Sequence, residues 1–352
     1  MIRDTVEGAI GKRATDTSGV DITSSPSSAR RESRQDRSGV ASRSHAGELW
    51  AVVLAGGEGM RLRTLTRLIC GDERPKQYVP LLGPLTLLEQ TLARVAPLVP
   101  PHRTVIVGHE RQAAYLAALG VGRTGVTVLL QPEDRGTAAA ILLASHWILR
   151  RDPEALVGVF PSDHFILEEE RFAGCVGAAA SACRTLDGRL VLLGAQPTEA
   201  DPQYGWIEPG PPIGRGAHGC HAVRRFWEKP TPAVADACLA AGCLWNTFVL
   251  VGGARVIAEA GREAIPDLEA RMRRAGQFAG AELERWALRQ AYAYAPRADF
   301  SRAVLQTLAP ALAVLRMPAL HWSDLGTPER VLRTVKTLGL DVPWLAALDA
   351  PA

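Results

Sequence analysis

The chain is short of several things that would define its class at once. None of its six cysteines, at positions 70, 175, 183, 220, 238 and 243, forms a CxxC pair. That leaves zinc-ribbon and thioredoxin-like chemistry without support. With 352 residues available to build a core, disulfides are not needed either, and free thiols in a reducing cytoplasm are the expectation. No apolar run approaches the roughly 20 residues that cross a bilayer; the best candidate, Leu308 to Leu315, is broken by Pro310. Charge of one sign is also missing. Forty basic residues face 37 acidic ones, for a net charge of +3, which argues for neither a nucleic-acid nor a membrane partner. There is no hexapeptide repeat of the kind that builds a left-handed β-helix.

Residues 1–48 stand apart. Thr15–Ser44 is rich in Ser, Arg, Asp and Gly and nearly devoid of large apolar side chains, so disorder is expected there. It lacks the apolar stretch of a secretory signal, and its Asp and Glu residues are unlike a transit peptide.

From Leu49 the pattern changes. Apolar strand-like runs at Leu49–Ala55, Thr104–Gly108, Val126–Leu130 and Ala155–Phe160 alternate with helical stretches at Leu85–Val95, Glu110–Leu119 and Thr137–Arg151. Such alternation implies an α/β domain, a mostly parallel sheet with helices on both faces and a ligand crevice at the strand C-termini. Beyond about residue 195 the rhythm becomes mixed, with strands expected at Tyr204–Glu208 and Val223–Glu228. Residues 49–300 are expected to form the catalytic domain, and 301–352 to complete it with a strand at Leu312–Leu315 and a final helix.

The main chemical signal follows the first strand, as Leu54-Ala55-Gly56-Gly57-Glu58-Gly59-Met60-Arg61-Leu62. Three glycines in four positions let a backbone turn its N–H groups toward phosphate oxygens. It is not a Walker loop, because no Gly-Lys-Ser/Thr follows. Nor is it a dinucleotide fingerprint, because Leu62 stands where the last glycine would be. Lys76, in Arg74-Pro75-Lys76-Gln77, adds a second cation after Arg61.

Together, Gly56-Gly57-x-Gly59-x-Arg61-Leu62 and Pro75-Lys76-Gln77 resemble the signature of sugar-1-phosphate nucleotidyltransferases, and within them the mannose-1-phosphate guanylyltransferases. The resemblance implies a Rossmann-like nucleotide-diphospho-sugar transferase fold with a mixed, mostly parallel sheet. It implies that an NTP, GTP by preference, and a sugar 1-phosphate, mannose 1-phosphate by preference, give a nucleotide sugar and pyrophosphate. Leu54, Ala55, Gly56, Gly57 and Gly59 would hold the triphosphate, with Arg61, Lys76 and Lys229 as the catalytic cations. Gln131, Gly136 and Thr137, in Gln131-Pro132-Glu133-Asp134-Arg135-Gly136-Thr137-Ala138, resemble the base-reading segment. Asp163, in Phe160-Pro161-Ser162-Asp163-His164, and Asp324, in Trp322-Ser323-Asp324-Leu325-Gly326, resemble the two aspartates that hold Mg²⁺. Gly205 in Tyr204-Gly205-Trp206, Glu228 in Phe226-Trp227-Glu228-Lys229-Pro230 and Asn246 in Trp245-Asn246-Thr247 resemble the sugar-binding set.

This chain departs from the pattern in places. Glu58 and Met60 replace small residues, Gln203 replaces a glycine, and about five residues from Cys70 to Arg74 are extra. A glucose-1-phosphate uridylyl- or thymidylyltransferase and a non-catalytic nucleotide-sugar-binding homologue therefore stay open at this point. The sequence also leaves open a homo-oligomer.

Overall fold

The computed structural model describes residues 47–348, except 187 and 215–218. The N-terminal extension expected to be disordered therefore lies outside the described residues, apart from Gly47 and Glu48. The strands are β1 (Leu49–Leu54), β2 (Thr104–His109), β3 (Thr127–Gln131), β4 (Leu156–Pro161), β5 (Phe165–Ile166), β6 (Leu190–Ala195), β7 (Gly205–Pro212), β8 (Cys220–Glu228), β9 (Leu244–Gly253), β10 (Leu312–Arg316) and β11 (Trp322–Ser323). The helices are α1 (Arg63–Cys70), α2 (Leu87–Val95), α3 (Ala113–Ala118), α4 (Thr137–Leu149), α5 (Glu169–Cys183), α6 (Pro232–Ala240), α7 (Ala254–Ala264), α8 (Pro266–Gly276), α9 (Glu284–Ala293), α10 (Pro328–Leu338) and α11 (Leu345–Leu348).

Nine strands form one sheet in the order β3-β2-β1-β4-β9-β6-β10-β8-β7. Strands β1 to β4 are mutually parallel, as continuous apolar runs predict for strands covered on both faces. The second half is mixed, as expected beyond about residue 195. Only β6 and β10 pair in parallel there among the described residues, while β9 runs antiparallel to β4, β6 and β7, and β8 antiparallel to β7 and β10. Of these antiparallel pairs only β7 and β8 are consecutive strands; the others join strands separated in the chain by further elements.

The period-two alternation of each strand supplies two cores. Trp50, Val52, Val105, Val107, Val157 and Val159 face the layer of α4, α7, α8 and α9. Ala51, Val53, Ile106, Phe160, Val191 and Leu193 face the layer that includes α5. A third cluster joins Leu62 and Leu65 to Leu325, Val331, Val335 and Trp344, tying α10 to the segment that carries Lys76. Strand β10 inserts between β6 and β8, so the chain after residue 300 is structurally part of the sheet. Among the described residues no helix is long and apolar enough to cross a membrane.

Candidate active site

The loop after β1 is held from behind. Gln77 Nε2 donates to the carbonyls of Ala55 and Gly57, both at 2.8 Å, and the Tyr78 hydroxyl donates to Ala55 O at 3.1 Å. Gln112 Nε2 adds a bond to Gly57 O at 3.2 Å. With its carbonyls fastened on one side, the loop keeps its shape without a ligand. Gly59 takes the left-handed conformation at φ +60°, and a Cβ there would come 2.9 Å from Lys76 N. Ala55 is buried and lines neither cavity; its N–H donates to Val107 O at 2.8 Å, so it anchors the loop. Glu58, an acid in a phosphate-type loop, is ion-paired with Arg111 and lies 4.0 Å from Arg63.

Two neighbouring cavities flank this loop, of about 470 Å³ and 570 Å³. They share Leu54, Gly57, Glu58, Thr137, Arg297 and Asp299, which makes them one continuous cleft. The smaller one takes in Gly56, Gly59, Gln131 and Gly136, with apolar walls from Val107 and Ala140. The larger one takes in Arg61, Lys76, Asp163, Gly205, Glu228, Lys229, Asn246 and Asp324. Every proposed site residue but Ala55 thus borders the cleft.

Asp163 and Asp324 are 161 positions apart, and a small ladder brings them together. Strands β5 and β11 pair antiparallel, with Ser323 opposite Phe165, so the register sets Asp324 opposite His164. Ser162 pins the end of β4 to β1 through its hydroxyl, which donates to Leu54 O at 2.7 Å. Lys76 stands between the two aspartates. Its buried Nζ is 3.2 Å from Asp163 Oδ2 and donates to the main-chain oxygens of Asp324 at 2.5 Å and Leu325 at 3.1 Å. The carboxylate of Asp324 accepts from the Tyr204 hydroxyl at 3.0 Å and from Arg330 Nη1 at 2.8 and 3.0 Å. Arg330 also pairs with Asp201 and stacks over the Tyr204 ring at 4.3 Å. Burial alone would raise the Asp324 carboxyl; His164, Arg330, Lys76 and the Tyr204 hydrogen bond outweigh it and hold it below its usual range.

Two carboxylates suit a hard cation that takes the rest of its shell from water and phosphate. Among the described residues no group of three His, Cys, Asp or Glu side chains could hold a metal alone. The two carboxylates therefore fit a divalent metal that takes the rest of its shell from oxygens outside the protein.

At the far end of the larger cavity, Gly205 pairs with Glu228 across β7 and β8. A Cβ on Gly205 would lie 2.9 Å from Glu228 Oε2 and 3.1 Å from Asn246 Cβ, so only glycine lets these two side chains close on the cleft. Burial raises the Glu228 carboxyl, partly offset by Lys229, whose Nζ is 3.2 Å from Oε1. Arg61 Nη1 donates to Gln203 Oε1 at 2.7 Å, which links the glycine loop to the chain before β7. Gly136 has φ +81°, and a Cβ on it would lie 2.3 Å from Ala298 O. That close approach explains the glycine without reference to a ligand. Thr137, expected near the N-cap, is the first residue of α4 and accepts from Phe300 N at 2.9 Å.

Arg330, Gln112 and Asp299 also shape the cleft but carry no signal in a single sequence, whereas Tyr204 stands in the motif around Gly205. Gln77 does carry one, as the neighbour of Lys76 in the same motif.

The α/β architecture, with its glycine loop and paired aspartates on one cleft, is that of the nucleotide-diphospho-sugar transferase fold. The chain belongs to the nucleotidyl transferase family, whose model matches residues 50–339. It is 34% identical over 281 residues to the xanthan biosynthesis protein XanB of Xanthomonas campestris pv. campestris, covering 78% of this chain and 57% of that protein. It is also 34% identical over 287 residues to a mannose-1-phosphate guanylyltransferase of Sinorhizobium fredii, covering 79% of this chain and 53% of that enzyme. A crystal structure described as mannose-1-phosphate geranyltransferase from Thermus thermophilus superposes with a TM-score of 0.71 at 31% identity, covering 84% of this chain and 80% of that one. The chain spans a little over half the length of the two relatives matched by sequence.

Proposed function

We propose that the chain transfers a guanylyl group from GTP to mannose 1-phosphate, giving GDP-mannose and pyrophosphate. The observation that carries this reading is the convergence on one cleft of a propped glycine loop, the Lys76–Asp163 pair, and the Gly205–Glu228–Asn246 group. Similarity to a mannose-1-phosphate guanylyltransferase supports the choice of substrates.

An oxygen of the sugar phosphate attacks the α-phosphorus, and the bond from that phosphorus to the β-bridging oxygen breaks as pyrophosphate leaves. The attacking oxygen is already anionic, so no general base is required, and catalysis rests on alignment and charge neutralisation. The loop N–H groups and Arg61 hold the β- and γ-phosphates. Lys76 and Lys229 position the reacting phosphates, and Glu228 and Asn246 hold sugar hydroxyls. The apolar-walled cavity beside Gln131 takes the base. Asp163 and Asp324 would hold Mg²⁺, which would supply charge stabilisation to the phosphates. The reading assigns the reaction to the cytoplasm, a compartment in which the six free thiols would stay reduced.

The test is pyrophosphate release from purified protein with each of GTP, ATP, UTP and CTP against mannose and glucose 1-phosphates. GTP with mannose 1-phosphate should be the fastest pair; a faster turnover of UTP with glucose 1-phosphate would reassign the substrates.

A further inference from the structure

Gln131, the last residue of β3, is buried with its amide at the wall of the smaller cavity. Tyr292, on α9, is fully buried behind it, its hydroxyl 3.0 Å from Gln131 Oε1. We propose that Tyr292 is a positioning residue that locks the Gln131 amide with Nε2 toward the cavity, so that the site selects a base with a ring carbonyl over one with an amino group at the same edge. This rests on the reading that the base occupies that cavity.

A phenol can donate to an amide oxygen or accept from an amide nitrogen, so the Tyr292 contact alone does not orient the group. The carbonyl of Gly108 does, because it can only accept, and it lies 3.5 Å from Gln131 Nε2. Tyr292 must then be the donor to Oε1. Burial raises its pKa, so it keeps that proton. Two fixed neighbours therefore hold the amide in one of its two flips.

An amide nitrogen carries two hydrogens, and Gly108 takes one. Nε2 is 3.1 Å from where a Cβ on Gly56 would lie, a point the His109 ring also approaches at 3.2 Å, and all three residues line the cavity, so the second hydrogen faces the space that Gly56 leaves open there. Guanine or uracil presents a carbonyl to such a donor; adenine or cytosine presents another donor. Opposing two donors in a buried site leaves both unpaired, which is the strongest form of discrimination a small polar contact gives.

The test is equilibrium binding of GTP and ATP to the full chain without sugar phosphate, which reads the base preference whether or not the protein turns over. Wild type should bind GTP more tightly, and Tyr292→Phe, which keeps the ring, should narrow the ATP-to-GTP Kd ratio about tenfold. An unchanged ratio, or an equal loss for both nucleotides, would overturn the proposal. Should Tyr292→Phe fail to fold, Gln131→Glu decides: it removes the cavity-facing hydrogen and must erase the preference for GTP. A retained preference in that variant would also overturn the proposal. Absence of pyrophosphate release with tight, base-selective binding would instead count against the proposed reaction alone.

Discussion

Lys76 and Asp163 form an ion pair of 3.2 Å at the centre of the cleft, and the lysine is the more buried partner. Its other two contacts are main-chain oxygens, those of Asp324 and Leu325. A buried ammonium bound this way is held in place by the two strand ends that carry the proposed metal carboxylates. Asp163→Asn keeps the volume but removes the charge that pairs with Lys76 and would hold the ion. Pyrophosphate release should fall by about 10²–10³-fold, and the melting temperature should fall too, because the buried Lys76 ammonium loses its counter-charge. Turnover at the wild-type rate would remove Asp163 from the mechanism.

Gln77 tests the value of a preformed loop. Gln77→Leu loses two bonds of 2.8 Å and leaves the Ala55 and Gly57 carbonyls short of partners. Stability should drop by about 1–3 kcal/mol in denaturant titration. Because the loop loosens without losing a group that touches phosphate, KM for the nucleotide should rise more than kcat falls. A pure kcat loss would show that Gln77 acts on the reacting atoms instead.

Arg330 balances two acids at once, Asp324 and Asp201, and is itself buried. Arg330→Met leaves both carboxylates near the protein interior without their cation, a change that costs about 3 kcal/mol or more. Chemical denaturation measures it directly. The double variant Arg330→Met with Asp201→Asn should recover part of the loss, since one of the orphaned charges is then gone.

Acid should weaken the fold in two stages. Burial lowers the pKa of His109 and of His146, each below the ordinary 6.5. Above that value both states are neutral and the two histidines contribute nothing to pH dependence. As pH falls below it the unfolded chain binds protons first, so stability declines until the folded pKa values are reached. Asp324, held below its ordinary 3.8, adds a second loss only in stronger acid. Melting temperatures should therefore slope downward as pH falls below about 6.5, and His146→Leu should flatten part of that slope. A melting temperature that stays level over this range would contradict it.

The parallel half of the sheet is legible in the sequence because β1, β2 and β4 are covered on both faces and read as unbroken apolar runs. Helix α1 is not, since Arg63–Cys70 follows the glycine loop with no capping side chain to announce it. Strand β9 is hidden because Leu244–Gly253 draws the eye for its Trp-Asn-Thr chemistry and not for its ten-residue length. The cleft residues that sequence can name sit in local motifs, next to glycines or strand ends. Those it cannot name act across long separations. Arg330 reaches Asp201 over 129 positions and Tyr292 reaches Gln131 over 161, and no local pattern encodes either encounter.

The late strand β10, wedged between β6 and β8, has a consequence for the newly made chain. Until residue 316 has left the ribosome, two sheet edges stay bare, and Asp324 is synthesised later still. A partly translated chain can build the glycine turn early, yet it has no second carboxylate to offer an ion. On the proposed mechanism, competence for polyphosphate chemistry waits until the chain has been made past Asp324, and shorter chains are inert.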